Sequence, residues 1–340
     1  MSQLSKPPEP RVVTILREYR QVLDAKELLL MDVMAKHWLI IEQRLEADTF
    51  ALAAEFARRA EAGEVITQQM VWRAERYKIF KAQMDDQIKR FNRDYAAAAI
   101  ADAQHENALL GLSAAQDAIK ASYFGIDATG PMFNRLNIGA VEAMIGFAGD
   151  GSPLRILLAK DYPEAVDGLL DALINGLARG LGPGQIARDM ADGMGMGLDR
   201  ALLIARTEAA RAYRTASTQQ YRDSGVVTGF RRMAKKDGAC LACLARDGER
   251  YRLEDELSDH PRGRCFLIAD IEGMAPATWQ TGQEWFNTLE PAKQEMLMGT
   301  IRYEAWKSGQ INFGDLSRLA HSDIWGNSPR LATIEELGLK

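Results

Sequence analysis

"GACLACLARDGERYRLEDELSDHPRGRC", Gly238 to Cys265, holds all three cysteines of a 340-residue chain, Cys240, Cys243 and Cys265, with His260 among them. Three cysteines cannot all pair with one another, and a cluster this dense points to metal or thiol chemistry rather than to a disulfide framework. Zinc takes four tetrahedral nitrogen or sulfur ligands. A CxxC followed by a histidine and a further cysteine supplies three thiolates and one imidazole from two short loops. Cys240, Cys243, His260 and Cys265 are therefore the candidate ligands of a structural zinc. With all four in use no position remains for a reacting water, so catalytic zinc is not expected. The competing reading stays open: the cysteines are buried hydrophobes and His260-Pro261 merely opens a turn.

Around this stretch, "VVTGFRRMAK", "ERYRLE" and "CFLIADI" are rich in β-branched and aromatic residues and read as short strands, with Asp247-Gly248 as a hairpin-type turn between two of them. Residues 229–272 are thus expected to form a small α+β cysteine/histidine module of zinc-knuckle type. Upstream, a helix is predicted from Asp199, a good N-cap, to a stop at Gly225. At 3.6 residues per turn Arg200, Arg211, Arg214 and Arg222 share one face, opposite Leu202, Ala209, Tyr213 and Ala216. Arg206 projects among the apolar residues and has to be paired, so Arg206 and Glu208 are assigned to a structural ion pair. Arg231, Arg232, Lys235 and Lys236 extend the basic run. Between Arg200 and Lys236 nine Lys/Arg face only Glu208 and Asp223, a local charge of +7 in a chain whose net charge is −5. Such a stripe fits contact with DNA phosphates or with an acidic protein surface. A solvated helix face is the alternative.

Toward the N-terminus, residues 1–10 read as a Pro-rich disordered tail. Residues 11–125 read as a long helical hairpin or coiled-coil-like arm. Val12, Leu16, Tyr19, Leu23, Leu30, Val33, Ile41 and Leu45 follow helical spacing, and Met70, Tyr77, Met84, Phe91 and Ala98 repeat every seven residues. Two core helices of a bundle would give the same pattern. "GIDATGPMFN" marks a boundary, and 126–228 form a helical middle domain in which "GLGPG" is a helix stop followed by a new start, lacking the pattern of a phosphate-binding loop. Residues 273–340 read as a short helical region. Pro291 opens one of its helices, and Trp279, Trp285, Phe286, Trp306 and Trp325 serve as its core rather than as a base-stacking surface. The fold class expected is mostly α.

Composition, 47% hydrophobic and 26% charged, is that of an ordinary globular protein. The longest apolar run, "LLLMDVMAKHWLII", is broken by Asp32, Lys36 and His37, so no membrane span is expected. "MSQLSKPPEP" does not read as a secretory signal.

Three stretches together carry a resemblance: "LLIARTEAARAY" (202–213), "KKDGACLACLARDGERYRLEDE" (235–256) and "HPRGRC" (260–265). In this order they resemble the phage head morphogenesis family, the Mu F-like minor head proteins, over about residues 130–270 and more loosely beyond. Arg206, Thr207 and Glu208 match the family's helix signature, Cys240 and Cys243 its knuckle, and His260, Pro261, Arg264 and Cys265 its closing motif. Gly263 departs from the family, where a cysteine is common. The resemblance implies a non-enzymatic, structural virion protein inside the capsid near the portal, assembled in host cytoplasm. Its implied partners are the portal protein, possible packaged DNA, and the major capsid or scaffolding protein. The arm offers a surface for self-association. The rival readings are a zinc-stabilised DNA-binding protein and a phage-borne effector. The ~70 residues after the cysteine module are fewer than an appended effector domain is expected to need.

Overall fold

A computed structural model describes residues 9–122, 142–148, 151–160, 162–236, 238–255, 257, 259–322 and 325–339. The predicted loop at 125–134 and residues 1–8 of the predicted tail lie outside them. The helices are α1 (Arg11–Glu61), α2 (Gln68–Arg73), α3 (Glu75–Arg90), a π-helical segment (Phe91–Ala96), α4 (Ala97–Ser122), α5 (Leu154–Lys160), α6 (Tyr162–Ala178) and α7 (Pro183–Asp223). They are followed by β1 (Val227–Met233), α8 (Leu241–Ala245), β2 (Arg250–Tyr251) and β3 (Phe266–Ile271). The C-terminal part contains α9 (Gly282–Asn287), α10 (Pro291–Met298), α11 (Thr300–Lys307), β4 (Ser317–Ser322) and β5 (Gly326–Leu331). The protein is mostly α, as the periodicities predict.

Two compact units interleave along the sequence. One comprises Met1–Ala25, Gln104–Ile145 and Ala209–Lys340, the other Lys26–Ala103 and Gly146–Glu208. The consecutive segments read from the sequence are thus regrouped in space, because α1, α4 and α7 each contribute residues to both units.

In the first unit β1 is the centre of an antiparallel sheet of order β2-β1-β3. β3 is buried along its whole length, as a continuous apolar run should be. Phe266 and Ile268 pack with Val13, Leu16 and Leu23 of α1, Ala114 and Ala118 of α4 and Tyr213 of α7. Leu267, Ala269 and Ile271 pack with Ala115, Ile119, Tyr221 and Phe230. The strand alternation sends successive side chains to opposite faces, so both are covered. Helices α4 and α7 meet at Gly111, where an added Cβ would lie 2.2 Å from the Tyr213 carbonyl oxygen. Ser217 Oγ donates there to the carbonyls of Gly111 (3.0 Å) and Tyr213 (2.9 Å).

The second unit holds the distal part of α1 against α3 and the π segment. Trp38 meets Phe91 edge-on at 5.0 Å and His37 stacks on Tyr95 at 3.7 Å. Tyr77, Met84 and Phe91 of the seven-residue repeat are buried, but Ala98 is exposed. The π segment supplies the reason: its wider turn shifts the phase of the helix, and Ala96 and Ile100 take over the buried seam. On α1 the seam runs through Met34 and Trp38, leaving Val33 exposed.

Three further expectations are corrected. Helix α7 starts at Pro183 and continues unbroken through Gly193, Gly195 and Gly197, so Asp199 caps nothing. The stop before it is real, since Gly180 takes φ +67°. Asp247-Gly248 links α8 to β2 rather than turning between two strands, with Gly248 N–H donating to the Arg232 carbonyl. The C-terminal part adds an antiparallel hairpin, β4–β5, whose polar residues and Pro329 conceal its strands. Of the aromatics expected to form its core, Trp285, Phe286 and Trp306 do so, with Phe286 edge-on to Trp306 at 5.5 Å and 5.1 Å from Phe313, whereas Trp279 packs instead against the cluster of Phe266 and Ile268.

Candidate metal centre

Cys240 is the N-cap of α8, its Sγ accepting from the Cys243 backbone N–H at 3.4 Å. One helical turn thereby turns both CxxC sulfurs the same way. The loop from Asp259 to Cys265 returns His260 against them, with Nε2 at 3.3 Å from Cys240 Sγ and 3.2 Å from Cys243 Sγ. His260 Nδ1 lies 2.8 Å from the Pro261 carbonyl, which can only accept. Nδ1 therefore carries a proton toward that carbonyl, which leaves Nε2 as the nitrogen turned to the two sulfurs, the orientation backbone carbonyls impose on metal-ligating histidines. In the same loop Arg262 holds φ +64°, a left-handed conformation that costs a non-glycine residue about 1 kcal/mol or more and persists where surroundings impose it.

The donor set fits a metal. Ligands at 2.0–2.3 Å from a tetrahedral zinc stand roughly 3.5 Å apart, close to the sulfur–nitrogen distances here. Two groups of donors lie within 4.8 Å of one another: Cys240, Cys243 and His260, and Cys243, Asp259 and Cys265. Cys240, Cys243, His260, Cys265 and Asp259 are thus close together and can hold a metal. The four residues chosen from the sequence do not form one group. Cys265 associates with Cys243 and Asp259 instead, and the surrounding cluster extends into the C-terminal core through Phe286, Tyr303 and Phe313.

Asp259 is the residue that sequence reasoning missed. Its Oδ1 accepts from the Arg232 guanidinium (3.0 Å) and from the His260 backbone N–H (3.1 Å). Its Oδ2 pairs with Arg214 at 3.3 Å. Its carboxylate fills the space beside Gly263, where an added Cβ would lie 2.1 Å from Asp259 Cγ. The departure from the family at Gly263 is therefore sterically matched by an acid four residues earlier.

The charges respond accordingly. A hydrogen bond with Cys243, against the opposing effect of burial, pulls the Cys240 thiol down to about 4, with His260 assisting. The hydrogen bond to Cys240 lifts His260 to about 9 despite burial. Cys243 is pushed up by its hydrogen bonds with Cys240 and Cys265 and by burial. Cys265 is lowered, chiefly by its hydrogen bond with Cys243, with Arg232 contributing. For Arg232 burial favours the neutral form, and the nearby Cys265, Asp259 and Cys243 outweigh it, so the guanidinium stays charged.

The proposed contact stripe is not an accessible basic surface. Arg214 and Arg232 are buried on Asp259. Arg222 donates to the Leu253 and Asp255 carbonyls, Arg231 pairs with Asp270, Lys235 with Asp24, and Lys236 with the buried Asp247. Arg200 and Arg211 are half-buried on α7. Arg206 does form a structural ion pair, but its recorded partner is Glu27 of α1. Glu208 is fully buried two residues on, a spacing that faces another side of the helix. The sequence does hold a signal for Arg232: on β1 it lies two residues from Phe230, on the same face of the strand.

Residues 167–267 match the family model described as Phage Mu protein F like protein. The match covers the "ARTE" helix and the whole Cys/His motif, and it supports a phage head-related protein. No curated protein and no solved structure matches the chain.

Proposed function

We propose that the chain is a structural minor head protein of a phage or phage-like particle, docking on the portal inside the capsid and assisting head assembly, DNA packaging or ejection. The observation that carries this reading is the family match over 167–267, with the matched cysteines and histidine brought into ligand range. The cluster acts as a structural zinc clasp. Metal held there ties the start of α8 to the 259–265 loop and so to β3, and its binding free energy becomes folding free energy. His260 is already turned to ligate, and the thiols supply the soft donors zinc prefers. Docking is supported by α1, where Leu28, Leu29, Val33, Leu39 and Ile40 are exposed among the described residues; apolar side chains gathered in this way suit a protein partner.

A direct role on DNA loses the feature that recommended it, since six of the eight cations assigned to the stripe are engaged internally. Quantitative mass spectrometry of purified particles tests the proposal. A few copies per particle, varying with the portal protein, are expected. Absence from particles that contain portal and capsid protein would overturn it.

A further inference from the structure

The two donor groups share Cys243 and look alike as cation sites, yet one of them already contains a cation. The Arg232 side chain is fully buried. Its Nη2 lies 3.3 Å from Cys243 Sγ and 3.0 Å from Asp259 Oδ1. Arg214 closes the far side of the same carboxylate. Two members of the Cys243, Asp259 and Cys265 group are thus already the walls of a guanidinium site. A divalent ion among them would stand beside a buried positive charge that has nowhere to go, an arrangement the low-dielectric interior penalises heavily. The other group, Cys240, Cys243 and His260, shares only Cys243 with that site, and Cys240 reaches the surface.

We propose that the chain takes one divalent metal through Cys240, Cys243 and His260 alone, with the fourth position filled by an exchangeable donor, water in the isolated protein, while Cys265, which lies on the side of Asp259 and Arg232, is not a ligand. This rests on the metal reading of the cluster and narrows it. The division follows from position: Cys265 falls in the group of Cys243 and Asp259, where Arg232 already sits, and outside the group of Cys240 and His260. A three-ligand site with an exchangeable position also differs from a closed structural one in being open to a donor from outside the chain.

Cobalt(II) titration of the full chain, followed by visible absorption, tests this. One cobalt per chain is expected, with a spectrum that changes saturably on adding azide. Cys240→Ser, Cys243→Ser and His260→Gln should each weaken binding by more than about 100-fold, while Cys265→Ser stays within about tenfold, the smaller end of what residues outside the ligand set cost. A spectrum indifferent to azide, together with loss of binding in Cys265→Ser, would overturn the proposal and leave the metal reading standing. Two cobalt ions per chain would overturn the Arg232 argument. No cobalt bound by the folded wild-type chain would remove both. Should Cys265→Ser fail to fold, the azide response of the wild type decides alone.

Discussion

Arg232 and Asp259 show what the cluster demands of single residues. Arg232 is buried against a sulfur and a carboxylate, so removing its charge strands the buried Asp259 carboxylate. Arg232→Met is predicted to cost about 3–5 kcal/mol in chemical denaturation, the range for breaking a buried pair from one side. Arg232→Lys should recover only part of this, since a point charge cannot reach Cys243 and Asp259 together as a planar fork does. A loss below about 1 kcal/mol for Arg232→Met would mean the guanidinium is not a structural cation. Gly263 makes a complementary point. A methyl there collides with Asp259, so Gly263→Ala is predicted to destabilise by about 1–3 kcal/mol as an overpacked site, with thermal unfolding as the measure. The cysteines and the histidine of the cluster were legible because their spacing is itself the signal. Arg214 was not, because counting cations along a sequence says nothing of which way each points, and for Arg232 the only signal is the alternation that sets it on the same face of β1 as Phe230. The decisive partner, Asp259, differs in no local respect from an exposed loop acid.

Among the elements, the long helices were legible and their phases were not. The seven-residue repeat is followed as far as Phe91 and then displaced by the π segment, an insertion that leaves no mark in composition. The sequence reading starts a helix at Asp199, yet α7 begins at Pro183 and runs through Gly193, Gly195 and Gly197, despite a propensity cost of about 1 kcal/mol per glycine. Where a glycine is needed is Gly111, which lets α4 and α7 approach until its carbonyl accepts from Ser217. Gly111→Ala is predicted to push the two helices apart and cost about 1–3 kcal/mol. Unchanged thermal stability would show that these helices can separate freely. Around the sheet, Cys243→Ser should expose residues 230–270 selectively to protease and leave the distal part of α1 protected. Uniform sensitivity along the chain would instead point to one undivided cooperative unit.

For the molecule as a whole, the fold class could be read from periodicity, but the grouping could not. α1, α4 and α7 each enter both compact units, and a linear division into arm, middle domain and cysteine module has no means of seeing that. The cysteine module, expected as a small independent knuckle, instead shares its apolar cluster with the C-terminal helices and aromatics. Local charge was equally deceptive. The +7 segment is largely neutralised from within, by Asp24, Asp247, Asp259 and Asp270, so its strength reports on internal pairing rather than on a partner. The Cys240, Cys243 and His260 group lies within the first unit, and a metal there is the account's central claim. Elemental analysis of the chain, purified under reducing conditions without added metal, tests it most directly. The account predicts one zinc per folded chain, lost in Cys243→Ser; a folded wild-type chain that carries no metal and takes up none on addition of zinc would contradict it.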